Sequence, residues 1–362
     1  MGMKRLVKRA LAGPVLGRIA AAWRPNALVA LGYHRIRVRG EISPLAESLF
    51  GPDTETFSNQ IAWLSQNTSP ISEADLLDCI ERRRPFPKRA SLVTFDDGYL
   101  DNFTQAAPIL KRYGVPAIYF VSTGALNRRE LFWWDELAWI LRETGVANAT
   151  LRGSALDLST GGRQRLLNSL TEYFKRTDAS TRKLLIQELR QVLKVDSVPH
   201  EITESTLMTQ EQVRTLIDYG ISVGCHTVSH PCLARLCPEA QEKELQQSKT
   251  ELESWTRRPC VSVSYPFGEA EHFNASTKVI AQKLGFRVGF SLIRGANRLD
   301  GLDPWALCRI LAPSDLDSFP LWFSFPRFMS IRQDRLDRKA KSPIDSDATL
   351  RWDSIVPVSA ST

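Results

Sequence analysis

The strongest limit on what this chain can fold into is a rhythm. Short apolar runs at residues 27–32, 92–95, 116–121, 221–224, 261–264, 286–290 and 306–311 each suit one buried strand. Segments with helical spacing lie between several of them. Phe57, Ile61 and Leu64 mark one, Ala106, Ile109 and Leu110 another, and a charged amphipathic stretch covers 238–255. Ser72 and Thr209 stand where helix N-caps belong, and Gly114 stops the helix expected over 102–113. Strand, helix, strand at this spacing makes a βα unit, and its repetition predicts an α/β fold on a parallel sheet or barrel.

The rhythm breaks between about residues 124 and 205. Phe132, Trp133, Trp134 and Trp139 crowd an apolar stretch there, and charged helical segments follow over 163–175 and 181–194. We assign this part as a helical insertion in a barrel domain spanning 27–318. Residues 1–26 form a basic amphipathic segment in which Arg18 interrupts the apolar part, leaving it too short to span a bilayer. It reads as a helix lying on the inner membrane surface, with a cleaved signal and a periplasmic location as the alternative. In 319–362, Phe319, Leu321, Trp322, Phe323, Phe325 and Phe328 precede a basic run and a polar tail. Aromatics beside cations suit a headgroup interface; packing on the domain wall explains them as well. These segments place the protein in the cytoplasm or peripherally on the inner membrane.

With 362 residues, 43% of them hydrophobic, the chain is ample for a full core. The net charge of +7 suits an anionic surface or substrate, but the basic residues are dispersed and no reading motif accompanies them. Nucleic acid is therefore not the expected partner. Six cysteines without a CxxC pair read as free thiols, and Cys225, beside a histidine, as a buried filler.

The run Leu92-Val93-Thr94-Phe95 ends in Asp96-Asp97-Gly98. A buried strand end carries charge only where that charge is paired or bound to a cation. Successive strand side chains point apart, so the two carboxylates share a site only if the chain turns at Gly98. A plain Asp-Gly turn would account for the pair equally well. His226-x-x-x-His230 follows another strand directly, and that spacing puts both imidazoles on one face of a helical turn. Two histidines with a carboxylate and an open position make the arrangement of a catalytic rather than a structural zinc.

Thr94-Phe95-Asp96-Asp97-Gly98, His226-Thr227-x-x-His230-Pro231 and Tyr265-Pro266-Phe267-Gly268 resemble, in order, the first three motifs of the polysaccharide deacetylases, the NodB-homology domains of carbohydrate esterase family four. The resemblance runs from about Leu31 to Leu311. It implies a distorted (β/α)7 TIM-like barrel and metal-dependent removal of an N-acyl group, usually acetyl, from an amino sugar. It also implies Asp96 as catalytic base and Asp97, His226 and His230 as ligands of a divalent metal, Zn²⁺ above all. Phe267 would supply an oxyanion-holding N–H. Tyr99, Thr227, Tyr265 and Pro266, within or beside the motifs, are assigned to substrate contact, Thr227 also steadying the second histidine.

Two departures stand out. Ser264 occupies the place where many members carry an arginine that steadies the base, and no late histidine follows His272. Tyr33-His34, after the first strand, is similar to the permuted subgroup that includes the poly-N-acetylglucosamine deacetylases. In that subgroup an early histidine serves as acid. His34 is thus the expected proton donor, and Arg309 the expected partner of Asp96. The implied substrate is an N-acylated amino sugar of a polysaccharide or glycan precursor. A deformylase or deacetylase of a lipid-linked amino sugar at the inner membrane is a second reading, and an inactive carbohydrate-binding form a third.

Overall fold

Each of the predicted apolar runs contains a strand, and the strands pair side by side in parallel. The computed structural model describes residues 26–324 apart from positions 39, 41, 42 and 44, so the readings made for 1–25 and for the tail beyond 324 lie outside the described residues. Contacts divide the chain into two compact units. The larger takes its described residues from Met1–Glu41, Leu49–Arg128 and Thr206–Leu336; the smaller takes them from Ile42–Ser48, Arg129–Ser205 and Asp337–Thr362.

The larger unit is built on β1 (Ala27–Tyr33), β2 (Ala90–Phe95), β3 (Ala117–Val121), β4 (Ile221–Cys225), β5 (Ser262–Ser264), β6 (Val288–Phe290) and β7 (Arg309–Leu311). Val29 pairs with Ser91, Val93 with Ala117, Ala117 with Ile221, Cys225 with Val263 and Ser262 with Val288, all in parallel. Phe290 bridges to Leu307 just ahead of β7, and Ala30 pairs with Arg309, which closes the ring. The result is the (β/α)7 barrel that the sequence implies. Its irregularity comes from β5, β6 and β7, each only three residues long.

Parallel strands covered on both faces have no need of polar alternation, and β2 and β3 are buried along their whole length. Phe120 of β3 and Phe290 of β6 meet across the barrel with ring centroids 5.1 Å apart. Gly224 on β4 leaves the space that Phe120 fills: a Cβ there would stand 2.5 Å from its ring carbons and 2.7 Å from Ser262 Oγ. Outside the barrel, the Phe95 ring lies 5.1 Å from Tyr33, 4.7 Å from Tyr119 and 5.7 Å from Phe57 of the helix Thr54–Asn67. Ser72 caps the helix Glu73–Glu81 through a capping box, as its position predicts. The helix expected from Asn102 opens instead as a π-turn over Asn102–Ala106 before continuing to Tyr113. Such wide turns concentrate at functional sites.

The smaller unit packs the helices Trp133–Glu143, Thr160–Lys175 and Ala179–Leu193 around fully buried Leu137, Leu170, Phe174, Leu185 and Leu189. A hairpin pairs Ala149–Leu151 with Ser154–Leu156 through Arg152 and Gly153, both in left-handed conformation. Among the described residues no helix is long and apolar enough to cross a membrane. The headgroup reading of the aromatic segment does not hold for its described part. In the helix Phe319–Ser324 the side chains of Phe319, Leu321, Trp322 and Phe323 are buried, and Phe319 and Phe323 pack on Trp63 at 5.7 and 5.3 Å. This is core packing of large rings, the alternative that their composition left open.

Gly224→Ala is expected to destabilise the protein by about 1–3 kcal/mol, the usual cost of overpacking a filled interior. A lowered denaturant midpoint is the measurement; an unchanged midpoint would mean that Phe120 has room to give.

Candidate metal centre and active site

The polar residues following the strands converge at the carboxyl-terminal mouth of the barrel, where barrels of this kind place their chemistry. β2 delivers Asp96 and Asp97. Asp97 and Gly98 both have positive φ, 79° and 103°, so the chain turns at once and both carboxylates face one site. The Asp97 carbonyl accepts from the Ser122 amide at 3.1 Å, which fixes the turn to the end of β3.

His226 and His230 follow β4, although not on a helical turn. Residues 226–230 form an irregular loop with Thr227 at φ 65° and His230 at φ 53°. The spacing of four still brings the rings together, their centroids 4.8 Å apart, because backbone bonds shape the loop. The His230 amide donates to Thr227 Oγ1 at 3.1 Å, so the threonine does steady the second histidine. His226 Nδ1 lies 2.7 Å from the Ser264 carbonyl oxygen, an acceptor that makes Nδ1 the protonated nitrogen and leaves Nε2 bare toward Asp97. Asp97 Oδ1 is 3.4 Å from His226 Nε2 and 3.5 Å from His230 Nε2.

These three residues fit a divalent cation. Asp97 Oδ1 is buried and has no hydrogen-bond partner, a costly state for a carboxylate oxygen. Ligands held at about 2.0–2.2 Å around a tetrahedral Zn²⁺ lie roughly 3.4 Å from one another, the spacing found from Asp97 Oδ1 to each histidine. Burial pushes His230 down to about 3, which favours the neutral imidazole a ligand must present, whereas without a cation the Asp96 and Asp97 carboxylates outweigh burial and push His226 up. Cys225 is no ligand: burial pushes its thiol up to about 11, and its Sγ accepts from the Thr227 amide at 3.4 Å.

Asp96 meets Arg309 in a fork. Nη1 donates to Oδ1 at 2.7 Å and Nη2 to Oδ2 at 2.8 Å, with both residues buried. Burial alone would raise this carboxyl, but the guanidinium outweighs it and holds Asp96 well below the usual carboxylate range. Arg309 is itself fixed on all sides. Its Nη2 also donates to Ser264 Oγ at 2.7 Å, Nη1 to Thr94 Oγ1 at 3.0 Å and Nε to the Ser291 carbonyl at 2.8 Å. Ser264 is therefore part of the answer to its own departure: it is small enough to leave room for an arginine arriving from β7, and it accepts from that arginine.

His34 follows β1 and is half-buried. Its carbonyl accepts from Asn102 Nδ2 at 2.7 Å, and the next amide but one, that of Ile36, donates to Asp101 Oδ1 at 3.0 Å. Sequence reasoning passed over Asp101 and Asn102, whose only signal is their closeness to the Asp96 motif. Phe267, at φ 61°, lays its ring 4.7 Å from His230 and 5.3 Å from His272. Tyr99 and Tyr265 are corrections. Both are fully buried, Tyr99 under the Arg35 guanidinium and Tyr265 stacked on Phe273, so they shape the motif turns from beneath and present no surface to a substrate. Thr227 and Pro266 are likewise buried within their turns.

Two carboxylates and two histidines are thus gathered at the mouth of a parallel barrel, in a set that could hold a cation. The family model for polysaccharide deacetylase matches residues 83–159 and 164–289, and the chain belongs to that family. It is by class a carbohydrate N-deacetylase. It is 24% identical over 287 residues to YxkH of Bacillus subtilis (strain 168), whose name places it among the polysaccharide deacetylases; the match covers 77% of this chain and 71% of that one. To the poly-beta-1,6-N-acetyl-D-glucosamine N-deacetylase of Escherichia coli (strain K12) it is 31% identical over 98 residues, 27% of this chain and 14% of the other. In fold it resembles the Streptococcus pyogenes deacetylase PplD, with a TM-score of 0.55 at 19% identity over 84% of this chain and 100% of the other. IcaB from Ammonifex degensii is similar at a TM-score of 0.53 and 19% identity, over 84% of this chain and 98% of the other.

Removing one partner of a buried ion pair leaves the other unpaired at a cost of about 3–5 kcal/mol. Arg309→Met is expected to lower stability by that much, and adding Asp96→Asn to recover a large part of it. Chemical denaturation of the two single variants and the double variant measures the coupling; strictly additive losses would refute it.

Proposed function

We propose that this protein removes the N-acetyl group from N-acetylglucosamine units of a polysaccharide, with Asp97, His226 and His230 holding a divalent metal, most simply Zn²⁺. The observation that carries the reading is the convergence of both histidine Nε2 atoms on an otherwise unpartnered Asp97 oxygen, with Asp96 in the adjoining position. The named activity of the Escherichia coli relative supports the choice of sugar.

When bound, the metal supplies a water whose pKa falls from about 15.7 towards 7, and a positive charge for the amide oxygen. The chain's own groups do the rest. Asp96, kept ionised and aimed by the Arg309 fork, accepts the proton of the attacking water. The Phe267 N–H donates to the oxygen on which negative charge develops, a contact worth about 3 kcal/mol in such sites. His34 gives a proton to the amide nitrogen as its bond to the carbonyl carbon breaks, since an amine anion is too basic to depart. Acetate and a free amino sugar are released. The burial of Phe319, Leu321, Trp322 and Phe323 removes one support for the lipid-linked alternative, and the intact constellation speaks against an inactive form.

The test is acetate release from N-acetylglucosamine oligomers by metal-loaded and chelator-stripped protein. Asp96→Asn and His34→Ala are each expected to lower turnover about 10²–10⁴-fold with metal content retained. Full activity in Asp96→Asn, or no release by the metal-loaded wild type on any N-acetylated oligomer, would overturn the assignment.

A further inference from the structure

The loop that carries both histidines is held from two directions. Its carbonyls are taken by backbone: Thr123 N–H donates to the Thr227 oxygen at 3.2 Å, and Gly124 N–H to the Val228 oxygen at 2.8 Å. That approach is tight, since a Cβ on Gly124 would stand 2.5 Å from the Val228 oxygen. The loop's outward amides are taken by one side chain. Glu244 Oε2 accepts from the N–H groups of Val228 and Ser229, each at 2.9 Å, while Oε1 accepts from Ser229 Oγ at 2.6 Å. Glu244 sits mid-way along the helix Pro238–Thr256, which no motif marks and which packs beside β4.

Two successive amides turned toward one point form a small anion cradle, and a carboxylate in it makes charge-assisted bonds. Left-handed conformations at Thr227 and His230 cost energy for non-glycine residues and persist only where surroundings impose them. We propose that Glu244 is a positioning residue for the metal centre. By clamping Val228 and Ser229 it imposes the backbone conformation that brings His226 Nε2 and His230 Nε2 onto Asp97, and so sets the affinity for the metal. The inference rests on the metal-centre reading above and extends it to a residue 14 positions beyond His230 (244 − 230), outside every motif. Groups that orient metal ligands typically matter 10–100-fold for affinity when removed.

The experiment titrates chelator-stripped full-length protein with Zn²⁺ against a chromophoric competitor, for the wild type and for Glu244→Ala, Glu244→Gln and Glu242→Ala. Glu242 is exposed on the same helix and serves as the control. Glu244→Ala is expected to weaken Zn²⁺ binding by about 10–100-fold. Glu244→Gln, which keeps one acceptor oxygen, should weaken it less, and Glu242→Ala should bind as the wild type. The Co²⁺ absorption bands of Glu244→Ala should also shift, a change in ligand geometry that lost stability alone would not produce. Wild-type affinity and an unshifted Co²⁺ spectrum in folded Glu244→Ala would overturn the proposal, as would an equal loss in Glu242→Ala. Should Glu244→Ala not fold, Glu244→Gln decides by the same readouts. A wild type that binds no Zn²⁺ would instead refute the metal centre itself, so the two failures are distinguishable.

Discussion

The arrangement turns on the fork between Arg309 and Asp96. Its guanidinium is completely buried, lies 5.5 and 5.9 Å from the Phe120 and Phe290 ring centres, and donates to groups on or just after β2, β5 and β6. A buried ion pair is weak evidence for stability, because dehydrating two charges can consume what their attraction returns. An apolar residue of similar volume would fill the barrel axis at less electrostatic risk. What it would not do is keep a carboxylate ionised and fixed in direction at the barrel's mouth. The cost of the pair makes sense as the cost of the base proposed for Asp96.

The same economy of position explains the turns. Asp97, Thr227, His230 and Phe267 are all left-handed, and none is glycine. Each occurs where a strand or motif must change direction within one or two residues. Strain of this kind clusters at working sites and is sustained by the hydrogen bonds around it.

Much of this was legible in the sequence because its signals are local. Apolar runs with no polar alternation announced strands covered on both sides, and Ser72 and Thr209 announced their helices. The paired aspartates and the His-x-x-x-His spacing announced a shared site, since few folds tolerate such charge at a buried strand end. What stayed hidden depends on partners distant in the chain. Four-residue spacing suggested a helical turn for His226 and His230, but Glu244 and Gly124 hold that segment in another shape. Tyr99 and Tyr265 looked like substrate contacts because they border motifs; whether an aromatic beside a turn faces in or out is decided by what packs beneath it, here Arg35 and Phe273. The hairpin at Arg152-Gly153 escaped notice because its strands are three residues long and carry little apolar pattern.

The order in which the parts are made gives the Arg309 fork one more consequence. Synthesis proceeds from the amino end, so Asp96 and every candidate ligand emerge before the guanidinium that pairs with Asp96. A nascent chain stopped short of the seventh strand would hold a complete ligand set beside a naked acid, with neither a closed ring nor its counter-ion. Pairing of the Asp96 carboxylate is thereby deferred to the seventh strand of the ring.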